Sequence, residues 1–225
     1  MSSVPVVLRI RDTIQPKESA VKGVHQPTMH RARKRYWLPF VASLFLLSGC
    51  GTHTSQPPHY KVWSVKQNQW ESTTFVGPRG GIVISMASWC KYCAWEAKWQ
   101  EPALFQWGRA HHVAVTLLDI SPRGGIGIAG PKTNPGDGTD GSGNYLGSSP
   151  KGIKALSHLL DQYSTIYHVP LQDLTIDPTD STIFAKKTDL LPTIFLLNAH
   201  GTIIHTFTGI NSASLIESGF AHASS

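Results

Sequence analysis

The chain has 225 residues, of which 40% are hydrophobic, enough for one ordinary domain with appendages. It carries 20 Lys and Arg against 14 Asp and Glu, but residues 1–49 hold eight of the basic residues and two of the acidic ones. That leaves 12 of each sign for the rest of the chain, so its basic character belongs to the N-terminal segment. We therefore expect no nucleic-acid binding by the remainder.

A basic run and an apolar run follow each other in this N-terminal segment. Arg31–Arg35 has the charge of a signal-peptide n-region, and Trp37–Leu47 is an apolar h-region too short for an ordinary transmembrane helix. The next residues, Leu47–Cys50 (LSGC), resemble the bacterial lipobox, whose cysteine is lipidated and becomes the mature N-terminus. We predict a lipoprotein signal peptide at residues 29–49, lipidation at Cys50 and an extracytoplasmic, membrane-anchored protein.

Two further segments flank the predicted signal peptide. Starting translation at Met29 gives a signal peptide of ordinary length, so residues 1–28 are either an N-terminal extension or a misassigned gene start. Residues 50–59 are polar and contain two prolines, which predicts a tether between the anchor and a domain at residues 60–222.

The domain begins with two predicted strands. Tyr60–Val65 alternates between polar and apolar residues, and Gly81–Ser85 is a continuous apolar run typical of a buried central strand. Cys90 and Cys93 come directly after the second strand and before a predicted helix from about Tyr92 to Trp107.

The position of this cysteine pair favours redox chemistry. A cysteine in the first turn of a helix has its thiolate stabilised by unpaired N–H groups, and a cysteine three residues on lies about one turn away. Because Cys50 is assigned to lipid, Cys90 and Cys93 are not part of a disulfide scaffold. A zinc site needs about four ligands, and no second C-x-x-C or suitably spaced His pair exists, so we expect no metal. The pair can hold or release two electrons as a redox-active disulfide, with no other cofactor.

The predicted helix is rich in tryptophan. Trp95, Trp99 and Trp107 recur at helical spacing and should pack against the sheet, while Pro102 should kink the helix. His112–Ile120 is the next predicted strand, and residues 122–149 form a long glycine-rich inserted loop.

Helices and strands alternate in the C-terminal third of the chain. This order predicts an α/β sandwich with a mixed sheet. The predicted elements are a helix with Ser149 as its cap, a strand at Leu174–Ile176, a short helix at Ser181–Lys187, a hairpin of Thr193–Leu197 and Thr202–Phe207, and a helix from an Asn211 cap to about His222.

Two separated segments resemble the thioredoxin superfamily, over residues 60–222. One is the strand followed by Trp89–Cys93 (WCKYC) and a helix; the other is Leu191–Thr193 (LPT) before the hairpin, where the family has its cis-proline. The export signal and the extra first strand are most similar to the extracytoplasmic TlpA/ResA-like branch. The resemblance implies a thioredoxin-like three-layer sandwich with a central mixed sheet, into which the glycine-rich loop is inserted.

The resemblance also implies roles for individual residues. Cys90 attacks a partner disulfide as a thiolate, and Cys93 resolves the mixed disulfide. Trp89 packs beside the site, and Leu191 and Pro192 dock the backbone of the partner.

Four positions depart from the family pattern or could tune it. Lys91 either lowers the pKa of the first cysteine or is a solvated lysine. The family often buries an acid where Ile84 stands here, so Glu96 is a candidate proton carrier for the second cysteine, unless it lies on the helix surface. Tyr92 stands where the common reductive pattern has proline, which leaves the redox direction open.

The expected protein is a lipid-anchored thiol–disulfide oxidoreductase that reduces exported proteins, as in cytochrome c maturation. Its partners would be client proteins and a membrane electron donor or acceptor. One alternative is a disulfide isomerase or oxidase for secretion or conjugation machinery. Another is a Cu(I)-binding chaperone that uses the same thiols, for which Met86 is the nearby methionine.

Overall fold

The computed structural model describes residues 56–120, 126 and 149–223. All of them fall within one unit of the chain, Gly51–Ser225. Residues 1–28, the predicted signal peptide and Cys50 lie outside the described residues, as does the glycine-rich segment 122–149 apart from Ile126 and Ser149. None of the described helices is both long and apolar enough to cross a membrane.

A seven-stranded mixed sheet forms the middle of the domain. Its order is β2-β1-β5-β4-β3-β6-β7, with β3, β4 and β5 parallel to one another and the other neighbours antiparallel. The α/β class and the mixed sheet are confirmed. The strands are β1 Tyr60–Ser64, β2 Gln69–Thr73, β3 Gly81–Met86, β4 Ala114–Ile120, β5 Leu174–Asp177, β6 Thr193–Leu197 and β7 Ile203–Thr208.

Helices cover both faces of this sheet. On one face, α1, α2, α3 and α5 share a hydrophobic cluster with the inward side chains of the strands, and α4 contributes to the cluster on the other face. The side chains of β3 alternate accordingly, with Ile82 and Ile84 in the first cluster and Val83 in the second. The helices are α1 Lys91–Trp99, α2 Glu101–His111, α3 Ile153–Tyr167, α4 Ile183–Lys186 and α5 Ala213–Ala223, with a 3₁₀ turn at Leu171–Asp173.

The helix predicted from Tyr92 to Trp107 is in fact two helices. Gln100 stands between α1 and α2, and Pro102 is at the second position of α2, where its missing N–H costs nothing. The prediction that Trp99 packs against the sheet is wrong, because its side chain is 46% exposed. Trp107 packs against the core as expected.

Other element boundaries also differ from the sequence expectation. The edge strand β2 was not predicted, and α3 begins at Ile153 rather than after Ser149. Helix α5 has the hydroxyl of Ser212 as its cap, since it accepts the N–H of Leu215 at 3.3 Å.

Strand register brings the two resembling segments to the same end of the sheet. Cys90 follows the carboxyl end of β3, and β6 runs antiparallel to β3 with Thr193 opposite Ser85. Pro192, which directly precedes Thr193, therefore lies at the sheet end where Cys90 also lies.

Candidate active site

The turn between β3 and α1 places Cys90 at the start of the helix. The N–H of Cys90 donates to the carbonyl of Ala87 at 2.9 Å, and the N–H of Ser88 donates to Oδ2 of the buried Asp119 at 3.0 Å. Asp119 lies near the end of the neighbouring strand β4, opposite Met86. The turn is thus held by backbone and by a carboxylate from the adjacent strand.

Cys90 is the N-cap residue of α1. Its Sγ accepts the N–H of Cys93 at 3.2 Å, a bond that an N-cap oxygen makes in other helices. Both cysteines are thiols and both are buried, at 3% exposure for Cys90 and 1% for Cys93. Both side chains are thus almost completely inside the protein, and the two thiols differ chemically through their hydrogen bonds, the charges near them and the effect of burial on each.

The two thiols differ in acidity. Hydrogen bonding by the Cys93 thiol is the largest cause that holds the pKa of Cys90 below its ordinary value. The backbone N–H groups of Cys93 and Tyr92 and the charge of Lys91 act in the same direction, while burial opposes them. Burial is the main reason that the pKa of Cys93 is well above its ordinary value, with the neighbouring Cys90 adding to it. One thiol of the pair is therefore easily ionised and the other is not.

The residues around the first cysteine form a partly exposed rim. The ammonium of Lys91 lies 4.8 Å from the centre of the Tyr92 ring, and the Tyr92 side chain is 39% exposed. Trp89 is half-buried and packs against the core cluster that contains both cysteines. Of the two interpretations of Lys91, the electrostatic one has support, since its charge helps to lower the Cys90 pKa, although as the smallest cause.

The Leu191–Pro192 peptide bond is cis. Pro192 is buried, and its carbonyl accepts the N–H of Gly209 at 2.8 Å, which joins it to the end of β7. Leu191 is half-buried and packs against the clusters on both faces of the sheet.

Glu96 lies inside the protein. The surface alternative weighed for it is wrong: its side chain is only 1% exposed, and Oε1 accepts the N–H of Asn211 at 3.2 Å. Burial raises the pKa of Glu96 to about 8, against the lowering effect of the Asn211 hydrogen bond. The charge of Glu96 in turn raises the pKa of Cys93. A carboxyl group that titrates near neutral pH thus lies one helical turn beyond the second cysteine.

Three buried groups of this region were missed in the sequence. Asp119 could have been noticed as an acid within an otherwise apolar strand. Tyr163, whose hydroxyl donates to the carbonyl of Cys93 at 3.2 Å, lies on the buried face of α3, and the helical spacing of its apolar residues could have indicated that face. Glu101 is 1% exposed at the first position of α2 and had no signal in the sequence.

We find no place in the described part of the chain where three or more His, Cys, Asp or Glu side chains gather closely enough to hold a metal ion. The site contains one activated thiol, one buried thiol and one buried carboxyl group beside them.

No protein-family model matches the chain, and no curated protein is similar enough in sequence to count as a match. Several solved structures are similar to it. StoA from Bacillus subtilis is 15% identical, with a TM-score of 0.44 over 73% of this chain and 98% of that one. The exposed lipoprotein thioredoxin Etrx1 from Streptococcus pneumoniae is 11% identical, with a TM-score of 0.45 over 73% and 99%. A thioredoxin family thiol:disulfide interchange protein from Chlorobium tepidum is 12% identical, with a TM-score of 0.48 over 76% and 97%.

Proposed function

We propose that the chain is a thiol–disulfide oxidoreductase that works through Cys90 and Cys93. The observation that carries the proposal is the placement of the two thiols: Cys90 caps helix α1 and its Sγ accepts the N–H of Cys93, which lies one turn inside the helix. Hydrogen bonding by the Cys93 thiol lowers the pKa of Cys90, and burial raises the pKa of Cys93. Exchange requires a thiolate that attacks readily and a second thiol that stays protonated until it is needed.

The proposed reaction consists of two successive thiol–disulfide exchanges. The Cys90 thiolate attacks one sulfur of a partner disulfide, forming a mixed disulfide and releasing the other partner sulfur as a thiolate. Cys93 then loses its proton and attacks Sγ of Cys90, which releases the second partner thiolate and leaves a Cys90–Cys93 disulfide. Two electrons pass to the partner. We assign the proton of Cys93 to the carboxylate of Glu96, whose pKa of about 8 suits an exchange near neutral pH.

Docking of the partner is assigned to the rim around Cys90. Leu191 and Pro192 lie at the same end of the sheet as the cysteine pair, and Trp89 packs beside it. We propose that an extended partner segment lies along these residues. The exposed part of Tyr92 adds apolar surface on the same rim.

We further propose that the protein is a membrane-anchored lipoprotein, lipidated at Cys50, that reduces exported proteins and is itself re-reduced by a membrane electron donor. The order of n-region, h-region and LSGC supports the anchor. Pro58 packs against Gly201 in the turn after β6, where a Cβ at Gly201 would lie 2.7 Å from the proline ring. That turn follows Leu197, which pairs with Gly81 at the start of β3. The tether therefore meets the domain at the end of the sheet away from the cysteine pair.

Single-cysteine variants test the exchange mechanism. Purified Cys93→Ser should accumulate a mixed disulfide with a model substrate, because the resolving thiol is gone, whereas Cys90→Ser should form none. Insulin reduction in the presence of a chemical reductant should need both cysteines. Disulfide exchange that persists in Cys90→Ser contradicts the mechanism.

A redox titration in glutathione buffers tests the direction. A potential near that of thioredoxin, about −270 mV, supports a reductant, and a value near that of the strong oxidant DsbA, about −120 mV, contradicts it. For the anchor, metabolic labelling with a radioactive fatty acid should label the wild-type chain and not Cys50→Ala.

A further inference from the structure

Glu101 is a buried carboxyl group that the exchange mechanism does not use. It begins α2, its side chain is 1% exposed, and neither Oε1 nor Oε2 has a hydrogen-bond partner among the described residues. A lone charge in such a place is costly, so burial favours the neutral acid. The pKa of Glu101 is accordingly well above its ordinary value, first through burial and then through the charge of Glu96.

The neighbours of Glu101 connect it to the second cysteine. Glu96 has one oxygen bound to Asn211 and one, Oε2, that has no partner among the described residues. Burial is the main cause that raises the pKa of Tyr163, and ionisation of Glu101 or of Cys93 would raise it further. The Tyr163 hydroxyl donates to the Cys93 carbonyl. Two carboxyl groups and the second thiol thus share one buried region.

Within residues 56–120, 126 and 149–223, the charges that act on Cys93, Glu96 and Glu101 are all negative. Helix α1 and its N-cap contribute Cys90, Cys93 and Glu96. A negative charge on Cys90 raises the pKa of both Cys93 and Glu96, and a negative charge on Glu96 raises that of Cys93. Helix α3 contributes Tyr163 and Tyr167, with ring centres 4.5 Å apart. Burial is the largest cause of the raised pKa of both tyrosines, and ionisation of Glu101 would raise it further.

An uncharged donor to this region comes from Asn211, which lies just before helix α5 and donates its backbone N–H to Glu96. The acidic residue of α5, Glu217, lines a separate cleft with Arg79 and His111. In the part of the chain that the structure describes, the donor to an ionised Glu96 is therefore an uncharged backbone N–H.

We propose that Glu101 is a positioning residue that stays protonated throughout the exchange cycle and turns its O–H towards Oε2 of Glu96, so that the two carboxyl groups together carry one exchangeable proton. The inference rests on the proposed function of Cys90 and Cys93. When Cys93 attacks the mixed disulfide, its S–H proton moves to the Glu96 carboxylate, which becomes a carboxylic acid. Glu101 keeps its own proton before and after the step. A neutral acid that donates to a carboxylate makes a charge-assisted hydrogen bond, which lets Glu96 ionise at a depth where it otherwise would not.

Two substitutions test whether Glu101 is a neutral hydrogen-bond donor or an ionised carboxylate. Glu101→Gln keeps an uncharged N–H donor of similar shape, and Glu101→Leu removes it. The measurement is the pH dependence of the resolving step, followed as the release of glutathione from a glutathione mixed disulfide at Cys90. Glu101→Gln should keep the wild-type midpoint. Glu101→Leu should move the midpoint about one unit higher, which makes the step about tenfold slower on the acidic side. Glu71→Gln, on the edge strand β2, is the matched control for loss of one acidic residue.

Either of two results overturns the proposal. If Glu101 were ionised, Glu101→Gln would move the midpoint to lower pH, because it would remove a negative charge beside Glu96. If Glu101→Leu folds and keeps the wild-type midpoint, Glu101 does not stabilise the ionised form of Glu96.

Infrared spectra of the reduced protein supply a readout that needs no exchange activity and no folded leucine variant. A protonated-carboxyl C=O band that persists to a pH above the titration of Glu96, and that is lost in Glu101→Gln, supports the proposal. Its absence from the wild-type spectrum overturns it. If the band is present but Cys90 does not exchange disulfides, the proposed function fails and the protonation of Glu101 stands.

Discussion

Replacing Glu96 by glutamine should change the pH dependence of folding stability. Burial raises the pKa of Glu96 from its ordinary value of 4.5 to about 8. Between these pH values the folded protein keeps a proton that the unfolded chain releases, so wild-type stability falls as pH rises. Glutamine cannot ionise, and its carbonyl can still accept the N–H of Asn211.

The magnitude follows from the shift. Each pKa unit corresponds to about 1.4 kcal/mol, so the full penalty on wild-type stability above the folded pKa is about 5 kcal/mol. Between about pH 5.5 and about pH 8 the penalty grows by about 3 kcal/mol. The advantage of Glu96→Gln over the wild type should therefore be about 3 kcal/mol larger at the higher pH. The side chain is almost completely buried, so solvent screening does not reduce this figure much.

Urea unfolding of the reduced proteins at the two pH values measures this difference. The same titrations on Glu71→Gln, an acid on the edge strand β2, control for a change in total charge. If the free-energy difference between Glu96→Gln and the wild type is the same at both pH values, Glu96 does not titrate in this range. The assignment of the Cys93 proton to Glu96 would then be wrong.

Three further predictions concern the thiols and the tether. Alkylation of Cys90 by iodoacetamide in Cys93→Ala should have a higher pH midpoint than in the wild type, because the hydrogen bond from the second thiol is the largest cause of the lowered Cys90 pKa. Tyr163→Phe should lose about 1 kcal/mol in urea unfolding, since it removes the buried hydroxyl that donates to the Cys93 carbonyl. Gly201→Ala should destabilise the domain more than Gly209→Ala: both glycines have φ of +76°, but only a Cβ at Gly201 would meet Pro58. Equal losses for the two glycine variants would mean that the proline contact contributes nothing.

Strands with a strong apolar pattern were predictable from the sequence, and the exposed edge strand was not. Gly81–Met86 and Thr193–Leu197 are buried at every position, so their apolar runs were clear signals. Strand β2, Gln69–Thr73, has no buried residue, because it lies at the edge of the sheet, where β1 is its one partner among the described strands. Its strand conformation comes from that pairing rather than from a hydrophobic pattern.

The chemistry of the cysteine pair was accessible from local sequence. Two cysteines at the start of a helix specify a hydrogen bond from the second N–H to the first sulfur, which depends only on neighbouring residues. The carboxylate of Asp119 that holds the preceding turn comes from the next parallel strand. Its role depends on strand order and register, which a pattern along one strand does not contain.

The break between α1 and α2 explains why the burial of Glu96 and Glu101 could not be predicted from the sequence. On one continuous helix, residues five apart point about 140° away from each other, so Glu96 and Glu101 could not both face the core easily. The structure interrupts the helix at Gln100, and the side chains on this stretch are tied to α5: Glu96 accepts the N–H of Asn211, and Gln100 accepts that of Ala213 at 3.0 Å. Pro102 indicates that the helix bends, but it does not say which side chains the bend buries. That outcome is set by contacts with a helix more than 100 residues further along the chain, and it places a second carboxyl group beside the one that we assign to the exchange of protons with the cysteine pair.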